Sequence, residues 1–399
     1  MKILFAANRF PYPPYRGDKL KIYNLAKRLC KDHELHLLTF LEEESDLQYL
    51  ENLDGIFKHI HLVRLGKITS YINVLKGFVG SEPLQSAYFR SSKMFRKVNT
   101  LLKEENYDAV HIQHLRMAQY FIEHKEIPRI LDLPDAFSLY WMRRTDASSG
   151  LRKWFNYKEY KRIKAYEPKL KAFDKVLVCS REDLAWLETQ SNLNNVSLLP
   201  NGVDAEFFEN PTPDYYTNRN KILFTGNMDY APNIDGVLYF CKEIFPLILE
   251  KHPKAQFIIA GQRPVKEILA LQSEKVIVTG FVPSLKDWYK EASIVVSPLR
   301  FGAGTQNKVL EAMAMGVPII STNIGFEGLN IFSGEGVIVA MDTVPFAQAC
   351  IRLLSDAKMR KEVGQVGVGV IRSQFDWNII SNFLIGYCVE VNRMKKQQP

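Results

Sequence analysis

The chain has 399 residues, 46% hydrophobic and 24% charged, with 22 glycines and 19 prolines; this excludes a disordered, collagen-like or disulfide-stapled chain and suits two or three soluble domains. Its net charge of +8 is uneven, because residues 1–200 hold 32 Lys+Arg and 24 Asp+Glu whereas residues 201–399 hold 20 of each. The basic half is therefore expected to meet an anionic ligand or membrane face, and nucleic acid is not expected as the partner.

The five cysteines (Cys30, Cys179, Cys241, Cys350 and Cys388) stand singly with no CxxC, which predicts a reducing compartment and no structural zinc. No run approaches the roughly 18 apolar residues of a spanning helix, and the N-terminal apolar run is too short for a signal core. A cytoplasmic location follows as an expectation.

Strands are predicted at Lys2–Ala7, Glu34–Phe40, Asp108–His114, Arg129–Leu133 and Lys175–Ser180. A helix follows the first strand from Gly17, with Leu20, Tyr23 or Ile22, Leu25 or Ala26, and Leu29 on its apolar stripe. The segment Leu151–Phe173 mixes aromatics with Lys and Arg. It reads either as a helix with its aromatics turned inward, or as an interfacial helix on anionic lipid. Phe207–Asn220 is polar, contains two prolines and reads as a connection.

The alternation then restarts. Strands are predicted at Lys221–Thr225, Gln256–Ala260, Val276–Thr279, Ser293–Ser297, Val317–Ser321 and Gly336–Ala340. Helices are predicted at Asn233–Leu249 and Leu285–Glu291, and in a tail of Val344–Leu354, Met359–Phe375 and Trp377–Met394. This predicts an α/β fold of two tandem Rossmann-like, doubly wound domains with ligands at the carboxyl ends of the strands, facing a central cleft. The expected domains are 1–200, 201–375 and a C-terminal helix, 376–399, returning to the first.

One such end is chemically suggestive. After the strand ending at Ser297, a turn with Gly302 and Gly304 leads into the helix former run Val309–Ala314. Strand, glycine turn and helix aim backbone N–H groups and a positive dipole end at an anion. Arg300 and Lys308 bracket the turn and could neutralise a diphosphate. Glu311, one helical turn further, could accept hydrogen bonds from a sugar's vicinal hydroxyls. The turn is neither a Walker A loop nor a full G-x-G-x-x-G, since Asn307 stands at the third glycine position.

Taken together, Asn201-Gly-Val-Asp204, Phe224-Thr-Gly226, Ile259-Ala-Gly261, Gly280-Phe-Val282, Gly302–Lys308, Glu311-Ala-Met-Ala-x-Gly-x-Pro318 and Glu327-Gly-Leu329 resemble the second domain of GT-B glycosyltransferases. The resemblance is to retaining family-4 enzymes of bacterial exopolysaccharide clusters. Pro13–Asp18 and Asp108-Ala-Val-His111 resemble the first domain's glycine loop and His-bearing strand. The resemblance implies a nucleotide-sugar donor, a sugar or lipid-linked acceptor, no separate cofactor and a peripheral place on the inner membrane face. It implies that Glu311 grips the ribose, that Gly302, Gly304 and Thr305 lie under the diphosphate and donor sugar, and that Phe281 and Val282 read the base. Gly226, Asn227, Gly261 and, from the first domain, Gly17 join the donor contacts.

Three positions depart from the family pattern. Ala303 stands where a second Glu is usual. Asn227 and Met228–Asn233 replace an Arg and a Lys, so Arg300 and Lys308 are expected to take over the diphosphate. The usual His is matched ambiguously by His111, Gln113 and His114. The chain has no Asp-x-Asp, so a metal-free site is expected. Attack is expected on the donor's front side, with the leaving phosphate taking the proton, His111 or His114 bonding the donor sugar, and Asp132 and Asp135 on the acceptor side. The alternatives are an epimerase or phosphorylase of the same fold, or a two-lobed nucleotide-sugar-binding protein without catalysis.

Overall fold

The computed structural model describes residues 1–15, 17–211, 213–217, 220–302, 306–326, 328, 329, 331 and 333–397. The chain divides into two compact units, Met1–Pro200 with Ile380–Pro399, and Asn201–Ile379.

Unit 1 is a seven-stranded sheet of β1 (Lys2–Ala7), β2 (Glu34–Leu41), β3 (His59–Arg64), β4 (Ala109–Gln113), β5 (Arg129–Asp132), β6 (Lys175–Val178) and β7 (Val196–Leu198). Its order is β3-β2-β1-β4-β5-β6-β7, all pairs parallel. Around it lie α1 (Gly17–Leu29), α2 (Lys67–Val79), α3 (Leu84–Tyr88), α4 (Ser92–Glu104), α5 (Leu115–Ala118), α6 (Phe137–Asp146), α7 (Gly150–Tyr166) and α8 (Arg181–Ser191). Ile3–Ala7 of β1 are wholly buried, as a central parallel strand covered on both faces requires. The strand order reverses at β1, which makes the β1/β4 ends the switch point of this sheet.

Two expectations shift here. The buried face of α1 is Ile22, Leu25, Ala26 and Leu29, joined by Lys21 and Asn24, while Leu20 and Tyr23 are only half-buried. Lys21 sits on this face with its ammonium bonded to Asp132 and to the Leu199 carbonyl. The basic segment is helical only to Tyr166, and a 3₁₀ stretch, Glu167–Ala172, follows.

Unit 2 repeats the pattern with β8 (Lys221–Thr225), β9 (Gln256–Ala260), β10 (Val276–Gly280), β11 (Ile294–Ser297), β12 (Ile319–Ser321) and β13 (Val337–Val339). The order is β10-β9-β8-β11-β12-β13, again parallel throughout. Its helices are α9 (Ala231–Tyr239), α10 (Phe245–Lys251), α11 (Lys266–Leu269), α12 (Leu285–Glu291), α13 (Asn307–Ala314), α14 (Asn323–Phe326), α15 (Thr343–Ser355), α16 (Ala357–Val370) and α17 (Trp377–Lys396). The single helix expected over Asn233–Leu249 is instead α9 and α10 joined by a π-turn, Phe240–Ile244. Pro246 lacks the N–H that a continuous helix would need there, and the widened turn absorbs the defect.

The part of α17 assigned to unit 1 is tied into it. Tyr387 Oη donates to the Leu198 carbonyl at 2.9 Å, Asn392 Nδ2 to Asp108 at 3.1 Å, and Lys175 pairs with Glu390 at 2.7 Å.

Candidate functional site

In unit 2 the strand order reverses at β8, so the ends of β8 and β11 flank the crevice where this topology binds ligands. Glycine allows the strand ends to close on one another there. Gly226 N–H donates to the Ala260 carbonyl at 3.1 Å, Gly261 N–H to Gly280 at 3.1 Å, and Met228 N–H to Gln262 at 2.9 Å. A Cβ on Gly261 would lie 1.7 Å from the Gly226 oxygen, and one on Gly226 2.7 Å from Asn233 Nδ2. A side chain at Gly261 would strike backbone, and one at Gly226 would displace the Asn233 amide.

This close approach positions an amide network leading to a buried lysine. Gln262 Nε2 donates to Asn227 Oδ1 at 2.9 Å, and Asn233 Nδ2 donates to the Asn227 carbonyl at 3.0 Å. The remaining Asn233 oxygen accepts from Lys308 Nζ at 2.8 Å. Lys308 is 6% exposed, in the first turn of α13, with its ammonium 4.4 Å from the centre of the Phe224 ring. Burial pulls its pKa down to about 7, against an upward pull from Glu311. The amine is thus poised near neutrality, and an incoming anion would favour its charged form.

Glu311, half-buried one turn along, places Oε2 2.8 Å from Tyr289 Oη. Tyr289, fully buried on α12, also meets Thr225 Oγ1 at 2.9 Å. Burial raises the Glu311 pKa, and the Tyr289 hydrogen bond and Lys308 oppose that rise. Tyr289 therefore holds the carboxylate from below.

The two cations that were expected to act together have different partners. Arg300 reaches Asp235 through Nε at 2.9 Å and a second nitrogen at 2.5 Å, and lies over the Tyr239 ring at 4.8 Å. Its charge is already matched, whereas Lys308 bonds a neutral amide. Phe281 is 61% exposed past the end of β10 and Val282 half-buried beside it. Gly302 has φ 148°; Gly304 and Thr305, with Ala303 and Glu327, lie outside the described residues.

Unit 1 gathers its candidates at the ends of β4 and β5. His111, fully buried, bonds Asp132 Oδ2 through Nε2 at 3.1 Å, and its Nδ1 has no hydrogen-bond partner. The other Asp132 oxygen accepts from Lys21 Nζ at 2.7 Å, and Lys21 also donates to the Leu199 carbonyl at 3.0 Å. Burial opposes charge on both groups, but the charges and hydrogen bonds of their neighbours together outweigh it, so Asp132 is held below its ordinary pKa and Lys21 above. Lys21, Asp132 and His111 thus form one buried hydrogen-bonded cluster.

His114 takes a positive φ of 76° and caps α5, its Nδ1 accepting from Arg116 N–H at 3.3 Å. Its Nε2 therefore carries the proton. Burial, with Arg116 and Arg9 nearby, keeps the ring neutral by lowering its pKa well below the ordinary value. Asp135 has a buried oxygen without a hydrogen-bond partner, and burial with the charge of Asp183 pushes its pKa up to about 7. Gln113 Nε2 donates to the Asp18 carbonyl at 2.6 Å, and Gly17 opens α1 with nothing within 4 Å of a Cβ placed there. Asn8, just past β1, is fully buried with both amide atoms unpartnered. Among the described residues no group of three or more His, Cys, Asp or Glu is placed to hold a metal ion.

Reading the sequence alone missed Tyr289, Asn233, Gln262 and Lys21. A lysine among the apolar positions of α1 is the one signal that was available. The others are polar residues in loops or short helices, and their partners are distant in sequence.

Comparison with known proteins agrees with this architecture. Residues 219–356 match the model for glycosyl transferases group 1, and residues 22–207 match that for glycosyltransferase family 4. An uncharacterised 44.6 kDa protein in the cps region of Klebsiella pneumoniae is 24% identical over 387 residues, spanning 94% of this chain and 96% of its own. The lipopolysaccharide core biosynthesis mannosyltransferase LpsB of Rhizobium meliloti is 26% identical over 195 residues, 43% of this chain and 53% of its own. The Anabaena protein HepE, solved in complex with UDP, superposes with a TM-score of 0.65 at 14% identity, covering 97% of this chain and 99% of its own. With two parallel doubly wound sheets and both transferase models matched in order along it, the chain belongs to the GT-B glycosyltransferases.

Proposed function

We propose that this glycosyltransferase takes its sugar from a nucleotide-sugar donor bound by unit 2 and passes it, with retention and without a metal, to a hydroxyl of a glycan or lipid-linked acceptor. The observation that carries the reading is the pair on α13. Lys308 is buried and held by Asn233, and Glu311 is backed by Tyr289, with both at the switch point of the sheet. The diphosphate lies at the head of α13, where it turns the half-titrated lysine into a full cation and offsets the charge that develops on the leaving group. Glu311 accepts the ribose hydroxyls. Arg300, matched to Asp235, plays the lesser part.

On the acceptor side, His114 offers a neutral Nε2–H suited to donating to a sugar oxygen, and its low pKa argues against a general base. Asp132 acts as structure, whereas Asp135, which titrates near neutrality, is the carboxyl able to orient an acceptor hydroxyl. The enzyme works peripherally on the membrane through its basic unit 1.

A thermal-shift series with UDP, GDP and nucleotide sugars tests donor binding, and a Glu311→Gln variant tests its location. Stabilisation by at least one nucleotide, lost in the variant, is expected; no response to any of them would sink the donor reading. Retention is read from the anomer of the product by NMR. Metal independence is read from turnover in excess chelator, and inactivation there would refute it.

A further inference from the structure

Helix α2 is built inside out. Its inward face is mostly small or polar: Ser70 is buried, Asn73 Nδ2 donates to the Arg90 carbonyl at 2.9 Å, Gly77 leaves only 3.1–3.2 Å between an added Cβ and Leu84 or Ala87, and Val74, half-buried, is its one larger apolar residue. Its outward face carries Ile68, Tyr71, Ile72, Leu75, Phe78 and Val79, which are 45–95% exposed. These positions recur at helical spacing, so the apolar stripe is as regular as a core-facing one and points into solvent.

Helix α7 extends this surface. Phe78 meets Phe155 with ring centres 6.2 Å apart, and Leu151, Trp154 and Tyr157 are exposed at 88%, 59% and 43%. Between the helices lies a groove of about 440 Å³ lined by Phe78, Trp154, Lys158, Lys161 and Arg162. Lys158 and Lys161 lie over the Trp154 and Tyr157 rings at 5.7 and 4.9 Å. Arg162 donates to the Phe78 carbonyl at 2.8 Å and joins the two helices. Of the aromatics in this segment, Trp154 and Tyr157 turn outward, Phe155 and Tyr160 are half-buried, and Tyr166 and Phe173 pack into the core.

Charge identifies the occupant. The two helices hold eight basic residues (Lys67, Lys76, Arg152, Lys153, Lys158, Lys161, Arg162 and Lys164) against one acid, Glu159. That acid is buried and accepts from Leu84 N–H at 2.7 Å. Lys67 pairs with Glu43 at its own end of α2. Residues 1–200 and 380–399 carry 35 Lys+Arg and 25 Asp+Glu, a surplus of 10, whereas residues 201–379 carry 17 and 19, a deficit of 2. No helix among the described residues is long and apolar enough to cross a membrane.

We infer that α2 and α7 form an interfacial docking surface for anionic phospholipid, with α2 lying in the plane of the bilayer, its apolar stripe at the boundary between headgroups and acyl chains, and the lysines of α7 meeting lipid phosphates at the groove. Apolar side chains flanked by cations at headgroup depth are the arrangement such an interface selects. The inference deepens the peripheral location already proposed and rests on it. It further assigns insertion to α2, a segment of low charge on which the basic character of the first half gives no hold.

Cosedimentation with phosphatidylglycerol-containing vesicles, with UDP thermal shift as a control on fold and donor site, tests it. The parent chain is expected to bind anionic vesicles at least tenfold better than phosphatidylcholine vesicles. Ile68→Ser/Ile72→Ser/Leu75→Ser/Val79→Ser is expected to lose at least tenfold in vesicle binding while keeping its UDP shift. Lys153→Gln/Lys158→Gln/Lys161→Gln is expected to weaken binding and flatten its salt dependence. Absence of parent binding, or parental binding by the serine variant, would overturn the inference. So would concentration-dependent self-association of the parent that the serine variant abolishes, since the stripe would then cover a second copy of the chain. Vesicle binding without any nucleotide response would uphold this surface and refute the donor reading instead.

Discussion

Lys308 joins sequence to chemistry most directly at the scale of single residues. A lysine in the first turn of a helix is opposed by the dipole, and burial pulls the pKa of Lys308 down to about 7. Its ordinary pKa of 10.5 applies in the unfolded chain. Between about 7 and 10.5 the unfolded chain binds the extra proton, so stability rises with pH across that window. Lys308→Met should therefore raise the melting temperature of the free protein, most at and below pH 7, with the gain vanishing towards pH 10.5. Donor affinity should move the opposite way, because the parent loses its cation as pH rises through 7. In turnover, the same variant is expected to lose kcat by roughly a hundredfold, the scale of one preorganised donor. Arg300→Met should cost much less, since Asp235 already neutralises that guanidinium. Equal losses in both would return Arg300 to the diphosphate. Glu311→Ala should weaken nucleoside diphosphate binding by about 2–3 kcal/mol, the range for hydrogen bonds to a charged group, and calorimetry showing unchanged affinity would remove it from the ribose.

Elements were legible where hydrophobic pattern alone decides them. Lys2–Ala7, Lys221–Thr225, Gln256–Ala260 and Leu285–Glu291 fall on their expected bounds, because each is a buried apolar run or a short helix between clear breakers. The missed strands, His59–Arg64 and Val196–Leu198, are the two edges of the unit 1 sheet. Edge strands are half-solvated and need no apolar run, so His-Ile-His-Leu-Val-Arg gave no signal. The site was legible as far as the local rule extends: strand end, glycine, helix start, Lys308 and Glu311. The partners were not, since Asn233 lies 75 residues from Lys308 and Tyr289 lies 22 from Glu311, and only packing brings them together. Glycine gives a test at this scale. Gly261→Ala puts a methyl 1.7 Å from the Gly226 oxygen, so the ends of β8 and β9 must part, at a cost of about 1–3 kcal/mol and with loss of donor binding. Gly17→Ala meets nothing and should leave the melting temperature unchanged, so any fall in donor affinity there would report backbone contact with the ligand.

For the molecule as a whole, unit 1 is discontinuous in sequence, being completed by the last twenty residues. The stripe Ile380, Leu384, Cys388 and Val391 is almost fully buried, and spacings of four, four and three keep it on one face of α17. Lys395 adds an ion pair to Asp174 at 2.9 Å and a bond to the Lys125 carbonyl at 2.6 Å. Burying each large aliphatic side chain contributes about 1.5–3 kcal/mol, so the three in this stripe contribute on the order of 5 kcal/mol. That is a large part of the 5–15 kcal/mol that typically holds a domain together. A chain ended at Ile379 should therefore show the unit 1 transition lowered by many degrees or absent in scanning calorimetry. The transition that shifts on adding UDP should stay in place, because every residue assigned to the donor on α13 and the β8–β10 ends lies within 201–379. If the truncated chain keeps both transitions, α17 is an accessory strap. If it loses the UDP-responsive one, donor binding depends on unit 1 more than the α13 geometry implies.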